Sequence, residues 1–196
     1  MLFYATGYLS FWMYRSMTDQ VSNAIQSNRP LLTYPVVSPL DTILARSALQ
    51  FVTQFVVCVT IFLGIFAILE APVSIDPAPI LGATCLTLML GIGIGMMNSV
   101  LFPIAGLYEK VFQIINRPLF FISGVFVLPE SIPYPYRDYL LWNPVTHIVS
   151  LFRQGFYPAY RAPYIDVYFV LALSAGSLVA GLGLLTLLGA KVRQAQ

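Results

Sequence analysis

ILGATCLTLMLGIGIGMMNSVLFPIAGL, residues 80–107, holds no acidic, basic or histidine side chain. As a helix rising about 1.5 Å per residue it would be about 42 Å long, beyond the roughly 30 Å of a bilayer's hydrocarbon core. The run must therefore tilt, bend or protrude, and Gly91, Gly93, Gly95 and Pro103 mark the places where it can do so. Two neighbours repeat the theme. Residues 48–69 and 167–188 are uncharged and long enough to cross once, the latter with Gly176, Gly181 and Gly183 available for close helix contact.

Composition agrees. Of 196 residues, 58% are hydrophobic and only 9% charged, against roughly 25% charged in ordinary soluble domains. Water would penalise such a surface and lipid does not, so the fold class is all-α integral membrane, a polytopic helical bundle. A net charge of +2 is too small to point to nucleic acid. Cys58 and Cys85 each lie inside an uncharged run, where small buried hydrophobes are the ordinary reading and no metal spacing accompanies them.

Other segments are less tidy. Residues 111–129 are apolar apart from Gln113, Asn116 and Arg117, which reads as a crossing with a polar opening turn. Residues 1–15 begin with an aromatic, uncharged stretch, Met1 to Tyr14, too short to span from a free start. No basic region precedes it, so a signal peptide fits poorly. The better expectation is the latter part of a crossing whose beginning is absent.

If the spans alternate, Arg15, Arg29, Arg46, Lys110, Lys191 and Arg193 share one side, with Arg117 near it. Glu70, Asp76, Glu130, Asp138 and Asp166 fall opposite, with Arg137, Arg153 and Arg161. The side richer in basic residues is expected to be cytoplasmic. Two connections are long enough to carry structure. Residues 16–47, on the basic side, hold a helical stretch Asp19 to Arg29 followed by Pro30, Pro35 and Pro39. Residues 130–166, opposite, are dense in Pro and aromatics and include the half-apolar stretch Val145 to Phe156. That pattern suits short helices that dip into the outer leaflet and return.

Catalytic motifs are scarce. No GxxxxGK[ST] loop is present, so ATP hydrolysis is not expected of this chain. Gly91-x-Gly93-x-Gly95 lacks the strand–turn–helix setting of a nucleotide fingerprint, which favours helix packing or bending. His147 is the single histidine, and it supplies only one part of any catalytic geometry. A hydrogen-bonding role at a helix start is the plainer reading. Interfacial Tyr and Trp ordinarily anchor a membrane protein; the functional alternative is ring platforms for the C–H faces of sugars. Arg117 either snorkels to the basic surface or faces an anionic ligand, with little to separate the two.

Several stretches together carry a resemblance. Asn23-Ala24-Ile25-Gln26-Ser27-Asn28 leads to Leu31-Leu32-x-Tyr34, Ser38-Pro39-Leu40-Asp41-Thr42 and Leu44-Ala45-Arg46. Arg117-Pro118-Leu119-Phe120-Phe121-Ile122-Ser123-Gly124 follows, then Leu140-Leu141-Trp142-Asn143-Pro144-x-x-His147. Over nearly its whole length the chain resembles the permease subunit of ABC-2 type exporters for capsular polysaccharide. The resemblance implies about five of six spans present, the amino-terminal portion missing, and re-entrant helices on the outer side.

The resemblance also implies partners: a second permease copy in a homodimer, a cytoplasmic ABC ATPase that binds ATP and Mg, and the polysaccharide. Periplasmic and outer-membrane export proteins are further possible partners, and the setting is the bacterial inner membrane. No cofactor is expected in this chain. Residues 16–47 match the family's coupling region, with Asp19, Asn23, Gln26, Asn28 and Arg29 as ATPase-coupling candidates. Gln113, Asn116 and Arg117 are candidate inner-mouth contacts for substrate, and Tyr136, Tyr139 and Trp142 candidates near the exit. One departure is Ser150, where the family often carries an acid, so an acid–base or ion-pair role there is in doubt. Alternatives are a permease for another glycan, O-antigen or teichoic acid, and a membrane-embedded glycan-processing enzyme.

Overall fold

The computed structural model describes residues 1–34, 36–68, 74–157 and 159–194, with side chains described to residue 188. Every regular element among these residues is helical: α1 (Leu2–Ser22), α2 (Ala24–Ser27), α3 (Arg29–Leu32), α4 (Pro39–Ile68), α5 (Pro77–Ile104), α6 (Gly106–Ile122), a single 3-10 turn (Pro129–Ser131), α7 (Tyr136–Leu141), α8 (Pro144–Gln154) and α9 (Val167–Gln194). Pro35, Leu69 and Glu70, which entered the sequence reading, lie outside the described residues. Among the described residues three helices are long and apolar enough to cross a membrane: Pro39–Ile68, Pro77–Ile104 and the Val167–Leu188 part of α9.

The glycine run lies inside one continuous helix, α5, and lets neighbours in. A Cβ on Gly91 would stand 2.9 Å from Met17 Cγ of α1, and one on Gly95 would stand 2.6 Å from Val21 Cβ. Gly93 points the other way, where a Cβ would meet Leu178 N of α9 at 2.8 Å. Gly181 answers from α9, its Cβ position 2.7 Å from Met96 Cβ. Lipid offers no hydrophobic drive for helices to associate, so close van der Waals approach at small residues supplies it. α5 is consequently the central helix, with α1 on one side and α9 on the other, and α8 packed across both α5 and α1. Gly176 and Gly183 have open space around them and make no such contact within the chain.

α5 starts where Asp76 accepts a hydrogen bond from the Ala78 N–H at 3.0 Å with Pro77 in the first helical position. It stops just after Pro103, where Ala105 leaves the helical region (φ −133°, ψ 81°). The last residues of the 80–107 run, Gly106 and Leu107, therefore open α6.

The basic-side connection is shorter than 16–47. α1 continues past Arg15 to Ser22 because Tyr14, Met17, Thr18 and Val21 extend one buried stripe. The stretch Asp19 to Arg29 is not one helix. Asn23 Nδ2 donates to Asp19 O at 2.9 Å and Asn28 Nδ2 to Ala24 O at 2.7 Å, and each asparagine breaks the helix into a short piece. Ser38-Pro39-Leu40-Asp41 then starts α4 as a capping box: Ser38 N–H donates to Asp41 Oδ2 at 2.8 Å, and Asp41 N–H to Ser38 Oγ at 3.3 Å. α4 leans on α1 through Gln50 and Gln54, both of which donate to Ser16 Oγ, while most of its apolar surface faces outward.

The 111–129 segment is also not one helix. α6 ends at Ile122, with Ser123 Oγ bonded back to Leu119 O at 2.6 Å and Gly124 in the left-handed region at φ +72°. Such a glycine closes a helix by turning the chain away. On the opposite side, the stretch Val145 to Phe156 is helical only to Gln154, as α8, which is buried along most of its length rather than solvated.

Replacing Gly95 by Val should lower stability by about 1–3 kcal/mol, the range for overpacking, read as a lower melting temperature in detergent. Gly183→Ala, with nothing nearby to strike, should melt no lower than wild type; a drop there equal to that of Gly95→Val would remove the packing explanation.

Candidate functional site

α1 carries Tyr4, Tyr8 and Trp12 at four-residue spacing, which on a helix makes one stripe. All three are substantially exposed, whereas Phe11, off the stripe, is buried. Tyr8 and Trp12 stack at 5.8 Å with rings 11° from parallel. α6 contributes Phe120, edge-on to Tyr8 at 6.1 Å and to Phe11 at 5.1 Å. The aromatic surface continues through Phe126, which is 5.1 Å from Phe120 and 6.3 Å from Tyr4.

A groove of about 350 Å³ runs between these two helices, with Tyr8, Trp12 and Phe120 towards one end and Arg15, Asn116 and Arg117 at the other. Asp19 shares the basic end and pairs with Arg15 at 2.7 Å, the sole ion pair among the described residues. Arg117 is exposed and Asn116 buried. The arrangement offers ring faces for apolar ring edges along its length and, at its mouth, the Arg117 guanidinium, which makes no ion pair among the described residues.

The structure thus joins Asn116 and Arg117, and adds Asp19, which the sequence had placed with a different role. Gln113 lies on α6 but lines no part of this groove; it is exposed and bonds Glu109 at 3.3 Å. Tyr136, Tyr139 and Trp142 sit away from it on α7 and its end, all three well exposed. Trp142 borders a shallower depression with Asp138, His147 and Asp166. On the basic side, Asn23 and Gln26 are exposed, Asn28 and Arg29 half-buried. Beneath them Ala24 and Ile25 are buried and packed with Ile43, Met96 and Val100.

His147 takes a structural part. Its Nδ1 accepts from the Asp166 N–H at 3.1 Å and its Nε2–H donates to Leu141 O at 2.8 Å, the pairing made by the Nε2–H tautomer. It ties α7 and the start of α9 to α8. Asn143 caps α8 by accepting from Val145 N–H at 3.0 Å, and its Nδ2 reaches Ser123 Oγ at 2.9 Å. The Trp-Asn-Pro-x-x-His run is therefore the joint that fastens α8 to the end of α6.

Sequence reasoning missed Arg153. Its side chain is 1% exposed. Nη1–H donates to Gly124 O at 2.7 Å and Nη2–H to Val125 O at 2.6 Å, while the guanidinium carbon stands 4.0 Å over the Phe3 ring. It reaches there through a notch at Gly7, where a Cβ would collide with Nη2 and stand 2.9 Å from Val125 O. Ser150, Tyr160 and Tyr164 form a hydroxyl chain close by, at 3.0 and 2.7 Å. Burial pushes the Tyr164 phenol well above its ordinary value. Backbone carbonyls and a ring face hold the cation in place of a carboxylate. Nothing in the sequence singled out this arginine, because its partners are main-chain atoms 28 and 29 residues away. Arg153→Lys, which cannot span both carbonyls as a planar fork, should lose about 1.5–3 kcal/mol, the range for a charge-assisted hydrogen bond. A detergent melt equal to wild type would show that the fork is dispensable.

Comparison with known proteins shows the family of the chain. Polysialic acid transport protein KpsM of Escherichia coli is 30% identical over 183 residues, covering 93% of this chain and 71% of the relative. The capsule polysaccharide export inner-membrane protein CtrC of Neisseria meningitidis is 29% identical over 181 residues, 92% of this chain and 68% of its own. BexB of Haemophilus influenzae, with the same description, is 25% identical over 181 residues, again 92% and 68%. Residues 2–157 match the ABC-2 type transporter family, and the chain belongs to that family.

Proposed function

We propose that this chain is the membrane permease of a bacterial inner-membrane exporter of capsular polysaccharide, driven by a separate ATPase subunit and working as a pair of copies. The observation that carries this reading is the aromatic groove between α1 and α6, in a chain whose relatives are named for capsule polysaccharide export. A polymer path must bind strongly enough to admit its cargo and weakly enough, at many sites, to release it. Stacked rings do this for sugars: each pyranose C–H face covers a ring without committing to a fixed pattern of hydrogen bonds. Tyr hydroxyls at the ring edges remain free for sugar hydroxyls.

Arg117 supplies the charge at the inner mouth, since Arg15 is engaged with Asp19. An acidic polymer would be drawn to that end. Tyr136, Tyr139 and Trp142 extend the aromatic path on the outer side. ATP and Mg belong to the partner subunit, which contacts the α2–α3 segment. Gln26 is the exposed contact there; Asn23 and Asn28 shape the segment through their bonds to Asp19 and Ala24.

Two outcomes follow in a capsule-producing host lacking its own permease. Tyr8→Ala with Trp12→Ala should cut surface polysaccharide by about tenfold at unchanged membrane abundance, the effect of removing about 1.4 kcal/mol of path contact. Gln26→Arg should weaken co-purification with the ATPase while leaving the permease inserted. Normal surface polysaccharide in the double aromatic variant would sink the groove as the path. Undiminished ATPase capture by the Gln26 variant would move the docking surface elsewhere.

A further inference from the structure

Asn98 is 0% exposed and sits on α5 near the basic end, a polar amide in the most apolar part of the bundle. Its side chain is used on both sides. Nδ2 donates to Ser22 Oγ of α1 at 3.2 Å, and Oδ1 accepts from the Tyr108 hydroxyl of α6 at 2.9 Å. Ser22 spends its own proton on Thr18 O at 2.6 Å, which leaves its oxygen free to accept from Asn98. The three side chains form one directed chain: Tyr108 to Asn98 to Ser22 to the α1 backbone.

The two ends of this chain are well placed. Ser22 is the last residue of α1, directly before the Asn23 break into α2. Tyr108 lies in the first turn of α6, two turns below Asn116 of the groove. Among the described residues no hydrogen bond passes directly between α1 and α6, the two walls of the groove. At this end their one hydrogen-bonded link runs through Asn98. The backbone between α5 and α6 is a single residue, Ala105, so α6 can swing on it unless Tyr108 is held. Tyr108 is also seated among Phe102 and Phe112 at 5.9 and 6.1 Å, which fixes its ring while the hydroxyl makes the bond.

We propose that Ser22, Asn98 and Tyr108 are positioning residues that carry a displacement of the α2 segment across α5 to α6, and so set the width of the groove. This rests on the transport reading above. A push on α2 shifts Ser22; Asn98 either follows, keeping Tyr108, or lets go, freeing α6. Asn is suited to the task because one group donates to one wall and accepts from the other. Asp at this position would lose the donating role, and Leu would lose both.

Interhelical hydrogen bonds in membranes also act as plain glue, and the test separates the two roles. Ser22→Ala cuts the link at α1, Tyr108→Phe cuts it at α6, and the two are combined in a third variant. Each is purified with its ATPase partner in lipid for ATP turnover, and expressed in the permease-deficient capsule-producing host for surface polysaccharide. The relay requires each single variant to export about fivefold less per assembled complex, the shift one such bond can give a two-state equilibrium. ATP turnover should stay within about twofold, and the double variant should be no worse than either single, because a chain cut twice is still one broken chain. Export that merely tracks the amount of complex, with losses in the two singles adding in the double, would overturn the relay and leave glue. A wild-type complex that hydrolyses ATP but exports no polysaccharide would overturn the transport reading, and the relay with it.

Discussion

The close approach of α1, α5 and α9 at Gly91, Gly93, Gly95 and Gly181 is the constraint from which the remaining geometry descends. Apolar side chains gain nothing by leaving lipid for protein, so a bundle of this composition holds together where backbones come near enough for dense contact. Gly91 and Gly95, four residues apart, present one face to Met17 and Val21; Gly93, between them, presents the opposite face to α9. That alternation fixes the rotation of α5. With α5 fixed, Asn98 necessarily faces the α1–α6 side, and the buried stripe of α1 turns inward. The aromatic stripe of α1, on its other side, is left facing the groove.

The groove's walls meet only ring to ring, at Phe120 with Tyr8 and Phe11, and among the described residues no hydrogen bond joins them directly; third parties hold them at both ends. At the basic end the holder is Asn98 of α5. At the opposite end it is Arg153 of α8, which grips the carbonyls after α6 and lies in the Gly7 notch of α1. Both holders are fully buried polar side chains, and an unpaired buried polar group is costly in such surroundings. A wall that moves must therefore either carry its holder along or leave it unsatisfied. Any change in the groove's width therefore carries or breaks these buried bonds, which a plain lipid-facing crevice would not require.

Much of the fold was legible because lipid imposes a simple rule on sequence. Residues 48–69, 80–107 and 167–188 declared themselves by length and lack of charge, and the glycine run, read as helix packing or bending rather than nucleotide binding, makes close helix contacts. The boundaries were less legible because charge was taken as the edge of a span. Arg15 sits in mid-helix, paired with Asp19 one turn on, while the buried stripe simply continues. At the other margin, Ser123 and Gly124 end α6 inside an apolar run that looked continuous. Within the site, Arg117 and Asn116 were found because polar residues stand out in an apolar run. Tyr4 and Tyr8 were overlooked although their spacing with Trp12 was in plain view, since interfacial anchoring explains aromatics equally well until a facing helix is known. Arg153 and Asn98 were beyond reach: each acts on partners distant in sequence, and neither belongs to a local motif.

The pairing of Arg15 with Asp19 bears on what the groove prefers. Two guanidinium groups at the mouth, both free, would bind an acidic polymer tightly and hinder its release. With Arg15 occupied by a carboxylate one turn away, the attraction falls to Arg117, which is exposed and screened by water and salt. In the proposed function, charge would help an acidic polymer find the mouth, while the rings of Tyr8, Trp12 and Phe120, indifferent to charge and repeated along the groove, would take over once it is inside. An acidic sugar chain would then pass from a long-range, weak attraction to a series of short-range, equivalent contacts. No single residue in the groove is then positioned to hold it still.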